Sequence, residues 1–452
     1  MVHRTRRDVL KVSGALLGGI AVGTTVTAAS STDRFIVRTR GRGVPKGVDV
    51  VHEMPGTDLA VVAGDEGALQ SARGVKEYAP DIEMELDDPP VNADAPRVGE
   101  TSVTDEPFYG LQWDKQDLDV PTAHETTKGE GTRVTIIDTG VAAGHPDLNV
   151  NEDLSKNFTG DGLGSANPAG GYHGTHVGGI VAARTDNETG VAGTAPDTDL
   201  VDCRVFSPNS LASFGDILAA VVYSASIDAD VANLSLGAYP VPRQGMGSFY
   251  GKVLNSAMTY ANSQGTLLVI AAGNDAADLQ HDGRVCMDFD DDGETECNPV
   301  ISLPNEGAQA LSVSATGPVG FNWGDEGVKQ PAHSPARYTN YGTNAVDLGA
   351  PGGNYDPAFP EGWYYDLVFN TIAEPNFDDD GNYLGASYSY AWLAGTSMAA
   401  PNVAGAAALV KSANPDYNAN QVEAALKQAA DVPEGYDKTY YGSGYLNILD
   451  AL

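Results

Sequence analysis

Four polar residues stand at the ends of apolar segments, where their side chains can meet at one edge of a fold. Asp138 ends the run RVTIID and His173 opens HGTHVGGIVA. Asn274 follows TLLVIAAG, and Ser397 lies in LAGTSMAAP, before an alanine-rich stretch. A serine becomes a nucleophile when a histidine takes its proton, a carboxylate orients the histidine and amide groups stabilise the oxyanion. These residue types therefore predict an acyl-transfer site.

Two of these motifs have simpler interpretations. LAGTSMAAP also fits a glycine turn followed by a closely packed helix, so Ser397 alone decides nothing. His173 and His176, three residues apart, could be metal ligands, but HGTH lacks the glutamate of the zinc motif HExxH. We therefore do not predict a zinc site. Whether Ser397 is a nucleophile or only a packing residue depends on the groups that the fold places around it.

Strands and helices alternate from residue 105 onward. RVTIID, TDLVDCRVF, DVANLSL and TLLVIAAG have the apolar density of buried strands, whereas HVGGIVAAR, FGDILAAVVYSASI and SMAAPNVAGAAALVKSA have helical character. This order predicts an α/β fold with a mostly parallel central sheet and helices on both faces. Sites in such folds lie at the carboxyl ends of the strands, where the polar residues fall.

The chain is strongly acidic. Its 452 residues carry 26 Lys and Arg against 61 Asp and Glu, a formal net charge of −35. We expect no nucleic-acid partner, because phosphate binding needs a basic surface. Self-repulsion of this size is tolerated best where salt screens it, so we interpret the protein as salt-adapted. An ordinary acidic protein with several metal sites is the alternative.

Residues 1–30 have the composition of an export signal. Arg6 and Arg7 precede the modestly apolar run VSGALLGGIAVGTTVTAAS, which ends in small residues. The arginine pair is typical of twin-arginine export, and a general secretory signal with a chance pair is the alternative. The run is too weakly apolar for a permanent membrane span. We therefore predict a secreted, extracellular protein without a membrane span.

A smaller unit precedes the alternating domain. Residues 34–96 hold strand-like RFIVRT, LAVVAG and IEMEL around helical EGALQSAR, which predicts a small α+β domain. Residues 97–104, in a Pro-rich acidic stretch without periodicity, are interpreted as a linker to the large domain, residues 105–452. This arrangement suggests a removable prosegment, and a permanently attached binding module is the alternative.

Four motifs carry a family resemblance. VTIIDTGV, HGTHVGGIVA, VIAAGN and LAGTSMAAP, in this order, resemble subtilisin-type serine proteases, the subtilases or peptidase family S8, from about residue 109 to the end. The acidity and the arginine pair resemble the halolysin branch of halophilic archaea. The resemblance implies a secreted endopeptidase of broad specificity that forms an acyl-enzyme. It also implies that residues 34–96 are an inhibitory propeptide that assists folding and is cut off around residues 95–105, and that the carboxyl-terminal extension of halolysins is missing.

The resemblance assigns a role to each polar residue. Asp138 would orient His173 and stabilise its charged form. His173 would be the general base that takes the proton of Ser397, and then the acid that protonates the leaving amine. The side-chain amide of Asn274 and the backbone N–H of Ser397 would form the oxyanion hole. His176 would have a structural role.

Two stretches resemble the family's substrate-binding edges. Ser235, Leu236 and Gly237 would pair with the backbone of an extended peptide. Ala271, Ala272 and Gly273 would line the opposite wall of the first pocket. Such backbone contacts accept many side chains. Asp275, beside the oxyanion residue, would admit basic or polar residues at the rim of the first pocket, and a solvated surface acid is the alternative.

The resemblance also implies structural calcium. The matching ligand positions are Asp105, Asp147, Arg184, Asn187, Thr189 and Val191, of which Arg184, Thr189 and Val191 would contribute backbone carbonyls. This mixture of carboxylate, amide and carbonyl oxygens suits a hard cation.

An acidic loop, CMDFDDDGETEC, is a second calcium candidate. It matches the first half of a DxDxDG loop at Asp288, Asp290 and Asp292. Pro299 occupies the position of the closing glutamate, which excludes a complete EF-hand. Residues 376–383, NFDDDGNY, are a weaker copy, and a hydrated acidic loop is the alternative for both. Cys286 and Cys297 bracket the first loop and predict a disulfide in an exported protein, whereas Cys203 is expected to be a buried thiol.

Three rival interpretations share these features. A selective processing protease would have the same catalytic residues and differ only in its cleavage-site profile. A non-enzymatic, calcium-bound adhesion or inhibitor scaffold would tolerate loss of the four polar groups, and all four are present. A sedolisin-type protease would use glutamate as base where this chain has His173. We therefore expect a monomeric serine endopeptidase that acts on polypeptides.

Overall fold

The structure is a computed structural model. It describes residues 33–41, 45–86, 89–93, 95, 97–98, 107–208, 211–243, 246–281, 283–287 and 295–452. The predicted export signal lies outside the described residues, as do the candidate calcium ligands Asp105, Asp288, Asp290 and Asp292. Within those ranges, no helix is both long enough and apolar enough to cross a bilayer.

The strands, in chain order, are β1 (Arg34–Thr39), β2 (Asp49–Glu53), β3 (Leu59–Ala63), β4 (Val75–Pro80), β5 (Glu83–Glu85), β6 (Arg97–Val98), β7 (Arg133–Asp138), β8 (Lys156–Asn157), β9 (Asp199–Arg204), β10 (Leu211–Ser213), β11 (Val231–Leu234), β12 (Ala238–Pro242), β13 (Leu267–Ala271), β14 (Arg284–Met287), β15 (Glu296–Leu303), β16 (Ala310–Thr316), β17 (Leu348–Pro351), β18 (Val368–Phe377) and β19 (Tyr383–Leu393). The helices are α1 (Glu66–Ser71), α2 (Trp113–Asp117), α3 (Val120–His124), α4 (His173–Ala182), α5 (Phe214–Ser226), α6 (Met246–Gln264), α7 (Thr396–Ala413), α8 (Ala419–Ala429), α9 (Lys438–Tyr441) and α10 (Ile448–Ala451). Short 3₁₀ turns span Pro90–Ala93, Tyr109–Leu111 and Trp363–Asp366.

The central sheet has seven strands in the order β17-β16-β13-β11-β7-β9-β8, and every neighbouring pair is parallel. Successive residues point to opposite faces, so Ile136 enters one apolar cluster and Ile137 enters the other. The first cluster includes residues of α4, α7 and α8, and the second includes residues of α5 and α6. The predicted parallel sheet with helices on both faces is confirmed.

The N-terminal residues form a second, antiparallel sheet in the order β2-β3-β1-β4, with α1 between β3 and β4. This unit lies against α5. Arg34 forms ion pairs with Asp81 and Asp216, and His52 Nε2 lies 2.7 Å from Asp216 Oδ1. Asp81 Oδ1 accepts from Gly215 N at 2.8 Å, and burial raises the pKa of Asp81 to about 6. The unit is therefore held on the large domain through charged groups as well as through apolar residues such as Ile36 and Met84.

Two further antiparallel sheets, separate from the central sheet, were not predicted from the sequence. β12, β15 and β14 form one sheet, and β18, β19 and β6 form another. β6 lies within the stretch interpreted as a linker, and its residues pair with Tyr390 and Ala391 of β19. A two-residue strand has no periodicity of its own and exists because a distant partner supplies its hydrogen bonds.

The cysteines are arranged as predicted. Cys286 and Cys297 face each other across the β14–β15 ladder and form a disulfide. The bond joins the two ends of the acidic loop. Cys203 is a buried free thiol in β9, and burial raises its pKa.

Candidate active site

Asp138 and His173 form a buried pair at the end of β7. Asp138 is the last residue of that strand and His173 is the first of α4. His173 Nδ1 lies 2.8 Å from Asp138 Oδ1, and Asp138 is fully buried. Thr139 N also donates to Asp138 Oδ1 at 2.7 Å, which fixes the carboxylate. A proton on Nδ1 leaves Nε2 as the basic nitrogen of a neutral imidazole.

His176 is placed differently. It is fully buried on α4, and its Nε2 lies 3.2 Å from the carbonyl oxygen of Ala391. This contact joins the helix to β19 and agrees with the structural role expected for His176.

Ser397 is the second residue of α7 and is 3% exposed. Its hydroxyl donates to the carbonyl oxygen of Ser235 at 3.3 Å, and Ser235 Oγ donates to the carbonyl oxygen of Ser397 at 2.8 Å. Gly395 enters the helix with φ +151°, a conformation that L side chains rarely adopt. The glycine therefore allows the sharp entry that places a serine in the first turn of the helix.

Asn274 follows β13 and is held by the residue before Ser397. Its Oδ1 accepts from Thr396 N at 2.9 Å and from Thr396 Oγ1 at 3.0 Å. With the amide oxygen fixed by Thr396, the amide nitrogen is directed away from that residue. The nitrogen is the atom with which an amide side chain could donate to an oxyanion.

A pocket lies beside Ser397 and Asn274. Its lining residues are Leu236, Gly237, Ala238, Tyr239, Ala271, Gly273, Asn274, Asp275, Ser302, Asn305, Thr396 and Ser397. Two predicted binding residues are not among them. Ser235 bonds to Ser397, as described above, and the carbonyl oxygen of Ala272 accepts from Asn340 Nδ2 at 3.0 Å. The structure therefore brings Leu236, Gly237, Ala271 and Gly273 together around one pocket beside Ser397.

Asp275 places a carboxylate in this pocket. Its Oδ2 accepts from Asn340 Nδ2 at 3.0 Å, whereas Oδ1 is buried without a hydrogen-bond partner among the described residues. Burial raises the pKa of Asp275 to about 6, against the lowering effect of Asn340. The group is therefore a pocket residue and not a solvated surface acid.

A second strand-binding edge, at β10, already holds an extended strand. Glu83–Glu85 (β5) pairs antiparallel with Leu211–Ser213 (β10). Met84 is 2% exposed and belongs to the same apolar cluster as Ala212, Phe214 and Leu236. The N-terminal unit thus adds a strand to the large domain, as an extended peptide would.

The calcium candidates near Asp147 are only partly arranged as ligands. Asp147 is fully buried, and its carboxylate accepts from Asn187 Nδ2 at 2.8 Å and Val191 N at 2.9 Å. Asn187 Oδ1 accepts from Thr189 N at 3.0 Å. Gly190 keeps the space beside Asp147 open, because an added Cβ would lie 2.2 Å from Asp147 Oδ2. The donor set fits a hard cation if the Asn187 amide presents its oxygen instead of its nitrogen.

Arg184 contacts the same aspartate through its backbone, since Arg184 N donates to the carbonyl oxygen of Asp147 at 2.9 Å. In the part of the chain that the structure describes, no three His, Cys, Asp or Glu residues are grouped to hold a metal. Any cation at this site would therefore depend on amide and carbonyl oxygens in addition to the carboxylate of Asp147.

A family model described as the subtilase family (Peptidase_S8) matches residues 129–444. The chain belongs to the subtilases. It is a serine endopeptidase by class. It is 32% identical over 346 residues to the thermophilic serine proteinase of Bacillus sp. (strain AK1), covering 76% of this chain and 68% of that protein. It is 31% identical over 346 residues to subtilisin Savinase of Lederbergia lenta, covering 75% and 98%.

Solved structures agree with this subtilase fold. The epidermin leader peptide processing serine protease of Staphylococcus aureus is similar with a TM-score of 0.65 and 20% identity. The match covers 92% of this chain and 97% of that one. At this identity the likeness supports the fold alone.

Sequence reasoning missed several groups at the site of this subtilase. Thr396 fixes Asn274, and Asn340 bonds both to Asp275 and to the backbone before it. Leu211–Ser213 forms the second strand-binding edge. The threonine was visible inside LAGTSMAAP, but the other contacts join segments far apart in the chain and have no local signal.

Proposed function

We propose that this subtilase hydrolyses peptide bonds with Asp138, His173 and Ser397 as its triad and Asn274 as an oxyanion donor. The observation that carries the proposal is one pocket lined by both Ser397 and Asn274. The buried Asp138–His173 pair supports it. Casein hydrolysis at high salt by the wild-type chain, set against the same chain with Ser397→Ala, tests it.

The reaction follows from the chemistry of these groups. His173 Nε2 takes the proton of Ser397 Oγ as that oxygen bonds to the peptide carbonyl carbon. The oxyanion receives hydrogen bonds from Asn274 Nδ2 and Ser397 N. Collapse breaks the C–N bond, and the proton on Nε2 goes to the leaving amine. Water then hydrolyses the acyl-enzyme by the same steps, while Asp138 keeps the proton on Nδ1.

The N-terminal unit acts as an intramolecular inhibitor and folding aid. Its strand β5 occupies the edge at Leu211–Ser213, where an extended substrate would pair. The buried side chain of Met84 fills an apolar position beside that edge. Polypeptides would then reach the pocket only after this unit leaves.

Asp275 makes the first pocket selective for basic residues above about pH 6, where its carboxylate is charged. We expect the ratio of kcat/KM for a Lys substrate to that for a Leu substrate to rise about tenfold between pH 5 and pH 8. The protonation of His173 affects the hydrolysis of both substrates equally, so its effect cancels in the ratio. The measurement is the pH profile of both peptides with wild type and Asp275→Asn, and a variant that keeps the wild-type slope would contradict this role.

Calcium stabilises the loop around Asp147. The side chains of Asp147 and Asn187 and the carbonyls of Arg184, Thr189 and Val191 would hold it, and bound calcium would neutralise the buried carboxylate. Ligand at about 100 times its Kd stabilises a folded state by about 2.7 kcal/mol. Chelation should therefore lower the melting temperature of wild type but not of Asp147→Asn. Exposed Asp431→Asn is the control, and equal sensitivity of all three proteins to chelator would contradict the site.

The enzyme is exported by a twin-arginine signal and adapted to salt, as in the halolysin branch. The formal charge of −35 and the pair Arg6 and Arg7 support this. Screening by salt weakens repulsion between the acidic groups, so the unfolding midpoint should rise with salt. A urea unfolding midpoint that does not change with salt concentration would contradict the adaptation to salt.

A further inference from the structure

The segment between the N-terminal unit and the large domain is built into the large domain. We call residues 89–98 the strap, of which 89–93, 95, 97 and 98 are described. Val91 and Ala95 are 5% and 7% exposed and belong to an apolar cluster that includes Trp113, Leu367 and Trp392. β6, at the end of the strap, is the third strand of the β18–β19 sheet. The strap is therefore part of a core, not a solvated connection.

Asn92 of the strap holds the backbone that leads to Ser397. Its side chain is 2% exposed, and its Oδ1 accepts from Ala394 N at 2.8 Å. Its Nδ2 donates to the carbonyl oxygen of Ala394 at 3.0 Å. One amide thus satisfies both backbone polar groups of a fully buried residue. Ala394 is followed by Gly395, Thr396 and Ser397, so the clamp lies three residues before the nucleophile.

The strap and the N-terminal unit pack on opposite faces of the central sheet. Ile36 and Met84 of the unit belong to the cluster that includes residues of α5 and α6, whereas Val91 and Ala95 belong to the cluster that includes residues of α4 and α7. Only residues 87 and 88 separate Leu86 from the strap. A cut around residues 95–105 would leave most of the strap on the departing unit. Departure would then withdraw two buried apolar side chains and the Asn92 clamp.

We propose that maturation cuts the chain before the strap, that the strap stays on the mature enzyme, and that Asn92 is a positioning residue for Ser397. This inference rests on the proposed protease function. It moves the expected cut from residues 95–105 to the stretch between Leu86 and Pro89. It also explains why a polar side chain is buried beside the entry to α7.

The experiment uses the full chain as wild type, Asn92→Ala, Asn92→Asp and the control Asn262→Ala, an asparagine of α6 outside the site. Amino-terminal sequencing and intact mass of the mature enzyme locate the cut. Peptide hydrolysis gives kcat and KM, and the rate of covalent labelling by a fluorophosphonate probe reports the reactivity of Ser397. Asn92→Asp keeps the acceptor for Ala394 N and provides a milder variant if Asn92→Ala does not fold.

We expect a mature enzyme that begins no later than Pro89. We also expect kcat and the labelling rate to fall about 10- to 100-fold in Asn92→Ala, with KM unchanged and with a smaller loss in Asn92→Asp. The control should match wild type. A mature chain that begins after Pro89, or wild-type labelling in folded Asn92 variants, would overturn the inference while leaving the protease function intact. A wild-type chain without any activity would overturn the function on which it rests.

Discussion

Replacing Ser397 with alanine is expected to abolish peptide hydrolysis, with kcat falling by about 10⁶-fold. The exchange removes the only atom that forms the acyl-enzyme and leaves the Asp138–His173 pair in place. Because Ser397 is buried in the first turn of α7, the smaller side chain fits without disturbing the helix. Casein and peptide turnover give the loss, and intact mass shows whether the chain remains uncut.

Ser412→Ala is the matched control, because Ser412 lies on the same helix but bonds to Thr127 and to the carbonyl oxygen of Glu130. It should be cut and active like wild type. The uncut Ser397→Ala chain should in addition retain the N-terminal unit. Casein hydrolysis or self-cleavage by purified Ser397→Ala would show that another residue is the nucleophile.

The parallel core could be predicted because its signal is local. A strand buried on both faces has a nearly continuous apolar sequence, as RVTIID and TLLVIAAG do. Chain order then placed Asp138 and Asn274 at the carboxyl ends of two parallel strands of the same sheet, β7 and β13. The pairing of Asp138 with His173 and the pocket beside Ser397 agree with that placement.

The surroundings of the site could not be predicted in the same way. Thr396 fixes Asn274 across 122 positions of sequence, and Asn92 reaches Ala394 across 302. Such contacts depend on how distant segments pack, so they cannot be predicted from the composition or the periodicity of the sequence. The strap shows the consequence most clearly, since its residues up to 96 were expected to belong to the propeptide, although Val91, Asn92 and Ala95 are buried against the large domain.

Replacing Asn274 with alanine is expected to lower kcat by about 10²–10³-fold, with KM nearly unchanged. The amide nitrogen gains its full interaction only when charge develops on the carbonyl oxygen, so the loss falls on the transition state and not on substrate binding. In energy this is about 2.7–4 kcal/mol of barrier. Steady-state kinetics on one peptide gives both constants, and a rise in KM with unchanged kcat would assign Asn274 to substrate binding instead.

Thr396→Val and Thr396→Ser test how much the contacts of Thr396 with Asn274 contribute to the action of Asn274 as an oxyanion donor. Thr396 holds Asn274 Oδ1 through its hydroxyl and its backbone N–H, and valine removes only the hydroxyl. The remaining N–H bond still orients the amide, so Thr396→Val should lower kcat less than Asn274→Ala does, by about tenfold. Serine restores the hydroxyl and should restore kcat. A loss of kcat in Thr396→Ser without a loss in Thr396→Val would mean that the methyl group of Thr396, through packing, is what the site requires.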